Sequence, residues 1–430
     1  MPQRIRPAQS LSGDVSLPGD KSISHRYAII AAIAEGDTRI RNYATGGDCR
    51  STLGAIEALG VPVERNGTDV VIHGRGLDGL REPAAPLDAG NSGSTIRMLS
   101  GILAAQPFTT HIGGDASLSR RPMDRIMQPL GLMGAHISAR DGRFPPLDVQ
   151  GAPLHGIAYT LPVPSAQVKT CVLLAGLYAD GVTEVHEPLR SRDHTEIALR
   201  EFGAGLRVAS RVITLQGRPT LTARDLIVPA DLSSAAFFIV AALLLPGSTL
   251  TIRGVGLNPT RATLLDFLAS MGAPVRVLDI ESRNGEPVGD LLVESAPVRG
   301  GMIEKETTAA LIDEIPVLAV LGASSEGGLV IRDAAELRIK ESDRIATIAE
   351  NLRRMGVEAR ELPDGLEVPG RQRFHAAKLD SFGDHRIAMA FTIAALCADG
   401  ESVLYSSEAA GVSFPDFFTT LARCAGASAA

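Results

Sequence analysis

Six segments of the chain set small, polar and charged residues directly before an apolar run, and those residue types suit anions. They are Gly19-Asp20-Lys21-Ser22-Ile23-Ser24-His25-Arg26, Gly90-Asn91-Ser92-Gly93-Ser94, Pro164-Ser165-Ala166-Gln167, Asp231-Leu232-Ser233-Ser234, Ile312-Asp313-Glu314 and Gly383-Asp384-His385-Arg386. Ser, Asp and Asn are ordinary helix N-caps, and capping is the expected role of Asp231 and Ser233. Capping does not account for Lys21, Arg26 or Arg386, because a helix N-terminus is already the positive end of its dipole. A bound phosphate or carboxylate would satisfy the free N–H groups and the cations together. More cations stand in Ser119–Arg125 (Arg121 among them), in Ser191-Arg192-Asp193-His194 and in Leu337–Arg344, which holds Lys340 and Arg344. Arginine's planar fork matches phosphate and carboxylate. Asp313 and Glu341 belong to the same set. A carboxylate among cations stays ionised and can take or relay a proton; equally, Asp313 could be a cap and Glu341 a salt-bridge partner.

The elements that must position these residues repeat along the chain. Ala-rich apolar helices ending in small-residue turns recur: HRYAIIAAIAEG, STIRMLSGILAA, SAQVKTCVLLAGLYADG, SSAAFFIVAALLLPG, IDEIPVLAVLGASSEG and DHRIAMAFTIAALCADG. Strand-like segments with period-2 alternation follow them, such as TRIRN, TEVHE and STLTIRGV. Then come amphipathic helices, of which five end at Gly60, Gly134, Gly203, Gly272 and Gly356, as C-caps should. Further strands complete each unit. The pattern predicts an α/β fold in which one helix per unit is buried and the other lies at the surface. Six units split as three plus three.

Length and composition narrow the function. A chain of 430 residues suggests more than one domain. The net charge of −7 (42 basic against 49 acidic residues) argues against a nucleic-acid binder, and the lack of Trp, with 4% aromatics, against a stacking platform. The longest apolar run, Ala235 to Leu245, is too short to span a membrane. No leader-like segment opens the chain. Cys49, Cys171, Cys397 and Cys424 show no CxxC spacing, so neither a zinc site nor a disulfide framework is expected, and a cytoplasmic setting is. Cys171, in an apolar helix, reads as core packing.

The motifs LPGDKSISHR, GNSGSTIR, RRPM, SAQVKT, RDHTE, IDEIP, LRIKESDR, GDHRIAMA and SFPDF, in this order, resemble those of the 5-enolpyruvylshikimate-3-phosphate synthase family, its second sequence class in particular, from about Leu17 to Phe418. The resemblance implies the enolpyruvyl transferase fold, an inside-out α/β barrel. It has two similar domains, each of three helix-strand-helix-strand repeats about a pseudo-three-fold axis. The N-terminal domain would span 21–230. The other would combine 1–20, including a first strand at Asp14–Pro18, with 231–430. The chain crossings near Gly19–Lys21 and Pro229–Asp231 would form a hinge about which the domains close over the ligands. The implied reaction moves the enolpyruvyl group of phosphoenolpyruvate onto shikimate 3-phosphate in the shikimate pathway, towards aromatic amino acids, by a monomer with no metal or organic cofactor. By resemblance, Lys21 contacts both substrates. Ser22, Arg26, Ser165, Ala166, Gln167, Ser191, Arg192, Asp313 and Lys340 hold shikimate 3-phosphate. Gly93, Arg121, Gln167, Arg344, His385 and Arg386 hold phosphoenolpyruvate. Asp313 takes the hydroxyl proton, and Glu341 with Lys21 manages the methylene proton.

Two stretches depart from the family pattern. Ala409-Ala410-Gly411-Val412-Ser413 lacks the lysine that first-class members carry there, and Glu336 stands where some members have asparagine. Gly93 is the small residue expected of a glyphosate-sensitive enzyme. The nearest rival, an enolpyruvyl transferase acting on UDP-N-acetylglucosamine, usually relies on a loop cysteine, and His111–Pro122 contains none. A non-catalytic, repeat-built anion binder is the rival from another class, and the retained Asp313 and Glu341 speak against it.

Overall fold

The computed structural model describes residues 2–426. The chain forms two units, each with its own core. The N-terminal unit is Gly19–Val228 with Arg283–Glu286; the C-terminal unit comprises the residues up to Pro18, Pro229–Ser282 and those from Pro287 on. The chain crosses at Pro18/Gly19 and Val228/Pro229, and again on either side of Arg283–Glu286. The turn Arg283–Glu286, expected in the C-terminal domain, belongs to the N-terminal unit.

Among the described residues three buried helices fill each unit. In the N-terminal unit they are Lys21–Ala32, Gly93–Leu103 and Ala166–Gly176; in the C-terminal unit, Leu232–Leu244, Ile315–Ser324 and His385–Leu396. Leu232–Leu244 is buried on every side from Leu232 to Leu243, as an all-apolar helix must be. The amphipathic helices, such as Arg344–Arg354, bury one face. All five glycines that end them take φ between 76° and 111°, the left-handed conformation a side chain resists. Gly101 serves close approach instead: a Cβ there would run into the Cys171 carbonyl oxygen on the neighbouring buried helix. Gly101→Ala is therefore expected to destabilise the protein by roughly 1–3 kcal/mol, through overpacking against backbone. A urea midpoint unchanged from wild type would contradict this.

Among the described residues the six sheets share one plan. A strand after each buried helix has a parallel neighbour on one side and an antiparallel one on the other. Glu35–Arg41 pairs with Asp225–Ile227 (parallel) and Asp69–Arg75, which pairs with Val63–Asn66. Thr109–Gly113 and Val182–His186 centre the next two sheets of the N-terminal unit. Since Asp225–Ile227 ends this unit and pairs in its first sheet, the three repeats close on themselves. The C-terminal unit closes differently. Ser12–Ser16 lies parallel to Thr249–Gly256 in its first sheet, and Gln3–Ile5 lies antiparallel to Ser402–Tyr405 in its last. The N-terminal segment thus serves two sheets, and the strand expected at Asp14–Pro18 is Ser12–Ser16. Among the described residues no single helix is long and apolar enough to cross a membrane.

Candidate active site

In the N-terminal unit the three buried helices begin with side-chain caps: Asp20 accepts from the Ile23 N–H (2.9 Å), Ser92 from Thr95 (3.1 Å) and Ser165 from Val168 (3.4 Å). Two polar clusters grow from these starts. In the first, Lys21 Nζ lies 3.0 Å from Asp48 Oδ2, so this cation has a partner from the Gly47–Ala58 helix. A run of hydroxyls ties the helices together: Thr52 Oγ1 is 2.7 Å from His25 Nδ1 and 2.6 Å from Thr95 Oγ1. Burial, with Lys21 and Arg26 beside it, pulls His25 down to about 3, so its ring is neutral. Beside them, Arg97 donates to Gln167 Oε1 (2.8 Å), and Gln167 Nε2 donates to Ser94 Oγ (3.0 Å). Arg121 donates to the Asn91 carbonyl, to Asn91 Oδ1 and to Ser117 Oγ. A Cβ at Gly93 would stand 2.7 Å from an Arg97 terminal nitrogen and 3.5 Å from an Arg121 one. Gly93 therefore opens onto two guanidinium groups.

The second cluster surrounds Arg26, which is buried. Its guanidinium donates to Thr195 Oγ1 (2.7 Å), to the Ser22 carbonyl (2.8 Å) and to Thr170 Oγ1 (2.9 Å). Among the described residues no carboxylate lies within ion-pair distance of it. Burial pulls its pKa down to about 10, against the pull of Glu196 and Asp20. A buried cation held by hydroxyls and a carbonyl still calls for negative charge. Thr170 Oγ1 also donates to the Ala166 carbonyl (2.6 Å), so Arg26, Ser22 and Ala166 share one network. Ser191 donates its N–H to Glu187 Oε1 at 3.0 Å. Arg192 is near enough to weaken the proton affinity of Arg26.

The C-terminal unit gathers its cations on carboxylates. Asp313 does not open the buried helix directly: it lies in the turn between Lys305–Leu311 and Ile315–Ser324, which meet at 111°. Its Oδ1 is 3.6 Å from Arg344 Nη1 and 3.9 Å from Lys340 Nζ, and its Oδ2 is 3.9 Å from Arg386 Nη2. Arg344 is 1% exposed and donates to Glu341 Oε2 (2.6 Å) and Asp384 Oδ2 (2.8 Å). Burial works against its charge, but Asp384, Glu341 and Asp313 outweigh burial and hold it well above the ordinary arginine range. Asp384 caps His385–Leu396 through the Arg386 N–H (2.9 Å), with His385 buried at the helix start. Arg386 reaches the Asp313 carbonyl (2.6 Å) and lies 3.6 Å from Glu314 Oε1. Glu336 lies 3.4 Å from Lys340 Nζ.

Sequence reasoning did not single out Asp48, Arg97, Glu314 or Asp384 as parts of these clusters. Ser233, read as a cap, instead contacts Glu314 and accepts from Arg261 (2.7 Å), while Asp231 caps its helix. The Ala409–Ser413 stretch lies in and just after a 3-10 turn, Ser407–Val412. Cys171 is fully buried and burial pushes its thiol up, so it is core. Among the described residues no group of three His, Cys, Asp or Glu side chains is placed to hold a metal ion.

Two closed three-repeat units with cations at buried-helix starts define the enolpyruvyl transferase fold. The chain aligns over its whole length, and over 98% of the other chain, with the enolpyruvyl transferase NikO from Streptomyces tendae (TM-score 0.80, 21% identity), a likeness of fold alone. It belongs to the EPSP synthase (3-phosphoshikimate 1-carboxyvinyltransferase) family, whose model matches residues 5–421. It is 67% identical over 425 residues to a 3-phosphoshikimate 1-carboxyvinyltransferase of Solibacter usitatus (strain Ellin6076), covering 99% of this chain and all of that one. Identity to the corresponding protein of Koribacter versatilis (strain Ellin345) is 52%, covering 97% and 98%. An EPSP synthase structure from Acinetobacter baumannii matches with a TM-score of 0.87 and 40% identity, covering 98% of each chain.

Proposed function

We propose that this chain transfers the enolpyruvyl group of phosphoenolpyruvate to the 5-hydroxyl of shikimate 3-phosphate with the residues of these clusters. The observation that carries the reading is Asp313, a carboxylate 3.6–3.9 Å from Lys340, Arg344 and Arg386, with Glu341 on the same Arg344. Ser22, Arg26, Ser165, Ala166, Gln167, Ser191, Arg192 and Lys340 hold shikimate 3-phosphate, and Arg26, a buried cation held by hydroxyls and a carbonyl, suits its phosphate. Gly93, Arg121, Gln167, Arg344, His385 and Arg386 hold phosphoenolpyruvate, with Lys21 serving both substrates. Asp313 takes the 5-hydroxyl proton as the oxygen attacks C2 of phosphoenolpyruvate. C3 gains a proton through Glu341 and Lys21, giving a tetrahedral adduct. The adduct loses phosphate from C2 and a proton from C3, and the double bond returns. Fixed cations stabilise the charge that develops.

The reading extends to a cytoplasmic monomer, the four free cysteines suiting a reducing setting. Glyphosate is expected to inhibit, since Gly93 leaves its neighbourhood open to Arg97 and Arg121. A phosphate-release assay tests all of this. Shikimate 3-phosphate should accelerate release from phosphoenolpyruvate, UDP-N-acetylglucosamine should not, and glyphosate should suppress turnover in competition with phosphoenolpyruvate. Acceleration by the nucleotide sugar alone would overturn the substrate assignment, and turnover indifferent to glyphosate would remove the argument from Gly93.

A further inference from the structure

The buried charges of the N-terminal unit include a lysine that the mechanism does not use. Lys169, on the Ala166–Gly176 helix, is 0% exposed, and its Nζ lies 2.7 Å from Glu196 Oε1 and 3.1 Å from Glu187 Oε1. Both carboxylates are buried as well. Full burial keeps Lys169 off any ligand, so its role must run through its partners.

One partner leads to the loop before the His194–Glu201 helix. Glu187 Oε1, the oxygen facing Lys169, also accepts the Ser191 N–H (3.0 Å) and the Ser191 hydroxyl. That oxygen therefore fixes where Ser191 and its neighbour Arg192 stand. The Lys169 N–H donates to the Ser165 carbonyl (3.0 Å), and Thr170, the next residue, holds Arg26. One buried helical turn thus ties together Ser165–Gln167, Arg26 and the Ser191–Arg192 loop. Lys169 thus stands between the two carboxylates Glu187 and Glu196. Burial pushes the Glu196 carboxyl up, and Lys169 is what opposes that.

We infer that Lys169 is a positioning residue for shikimate 3-phosphate: through Glu187 it holds the Ser191–Arg192 loop in its binding geometry. The inference rests on the reading that this loop contacts shikimate 3-phosphate. Without the ammonium, two buried carboxylates face each other and one takes up a proton. Glu187 then loses its anchor, and Ser191 is no longer held against a fixed oxygen.

The test is steady-state kinetics on the full chain, varying each substrate against saturating partner. Lys169→Met should raise the KM for shikimate 3-phosphate about tenfold, the scale of one lost charge-assisted hydrogen bond. The KM for phosphoenolpyruvate and kcat should stay within about twofold, a split that mere loss of stability does not produce. Glu187→Gln, which keeps volume and an acceptor oxygen, should raise the same KM by less. Lys169→Met with Glu187→Gln should be no worse than Lys169→Met alone, because the two act in series. An unchanged KM in Lys169→Met, equal rises for both substrates, or multiplicative effects in the double variant would overturn the inference. If Lys169→Met does not fold, an unchanged KM in Glu187→Gln does so. Ser191→Ala and Arg192→Ala separate the two failures. If neither raises the KM for shikimate 3-phosphate, the loop's assignment is wrong; if they raise it while Lys169→Met does not, only the role of Lys169 is.

Discussion

Asp313→Asn should lower kcat by about 10²- to 10⁴-fold, the range that a positioned general base contributes, while both substrates still bind. The amide keeps the side chain's volume and cannot take the hydroxyl proton. The turn that carries it should survive, because the Asp313 carbonyl on Arg386 Nη1, at 2.6 Å, is kept. The carboxylate is 18% exposed on its side chain and meets its three cations at 3.6–3.9 Å, too long for tight hydrogen bonds. That exposure leaves room for an incoming hydroxyl. Removing its charge leaves Lys340, Arg344 and Arg386 with less negative charge near them, so affinity for anionic substrates should hold or rise. Calorimetric titration with shikimate 3-phosphate and single-turnover rates would separate the two effects. A variant that keeps more than about a tenth of wild-type kcat at saturation would take the base assignment away from Asp313.

What the sequence made legible, and what it hid, follow from the range of the interactions involved. Lys21, Arg26 and Arg386 could be found because a cation at a helix start contradicts the local dipole, a conflict visible within a few residues. Their protein partners could not be found in the same way. Lys21 has Asp48, 27 residues on, and Arg386 has Glu314, 72 residues back, and nothing local announces either pairing. Carboxylates such as Asp384 hid because at a helix start they look like caps, and Asp384 is one, as well as a partner of Arg344. Lys169 left a readable trace: a lone cation inside an apolar helix needs a buried partner. The helix pattern was plain wherever the 3.6-residue period ran on. The turn at Asp313 was not, since the apolar character of Leu311-Ile312 continues into Ile315-Pro316-Val317 across the break. Gln3–Ile5 is three residues long and gains its partner only from Ser402–Tyr405, at the far end of the chain.

Arg344→Leu should cost about 3–5 kcal/mol of stability near neutral pH, the scale for breaking a buried pair by removing one member, and should weaken phosphoenolpyruvate binding. Arg344 and Asp384 are both almost completely buried, and Arg344 also serves Glu341. Burial pushes the Asp384 carboxyl up, but Arg344 more than reverses this, so its folded pKa lies below the ordinary value. In wild type, Asp384 therefore adds stability above pH ~4, lost as pH falls through the depressed folded value. Without Arg344, burial is left unopposed and the folded pKa moves above the unfolded one. Its cost then vanishes in acid, where the carboxyl is protonated in both states, and grows as pH rises past ~4. The stability gap between wild type and variant should accordingly widen from pH 4 to pH 8 in urea titrations. Adding Asp384→Asn should recover most of the loss, since asparagine can still cap the helix at Arg386. That rescue should not restore the affinity for phosphoenolpyruvate, because no cation returns. A double variant regaining both stability and affinity would mean that Arg344 only braces Asp384; a pH-independent gap would mean that the pair is not the source of the loss.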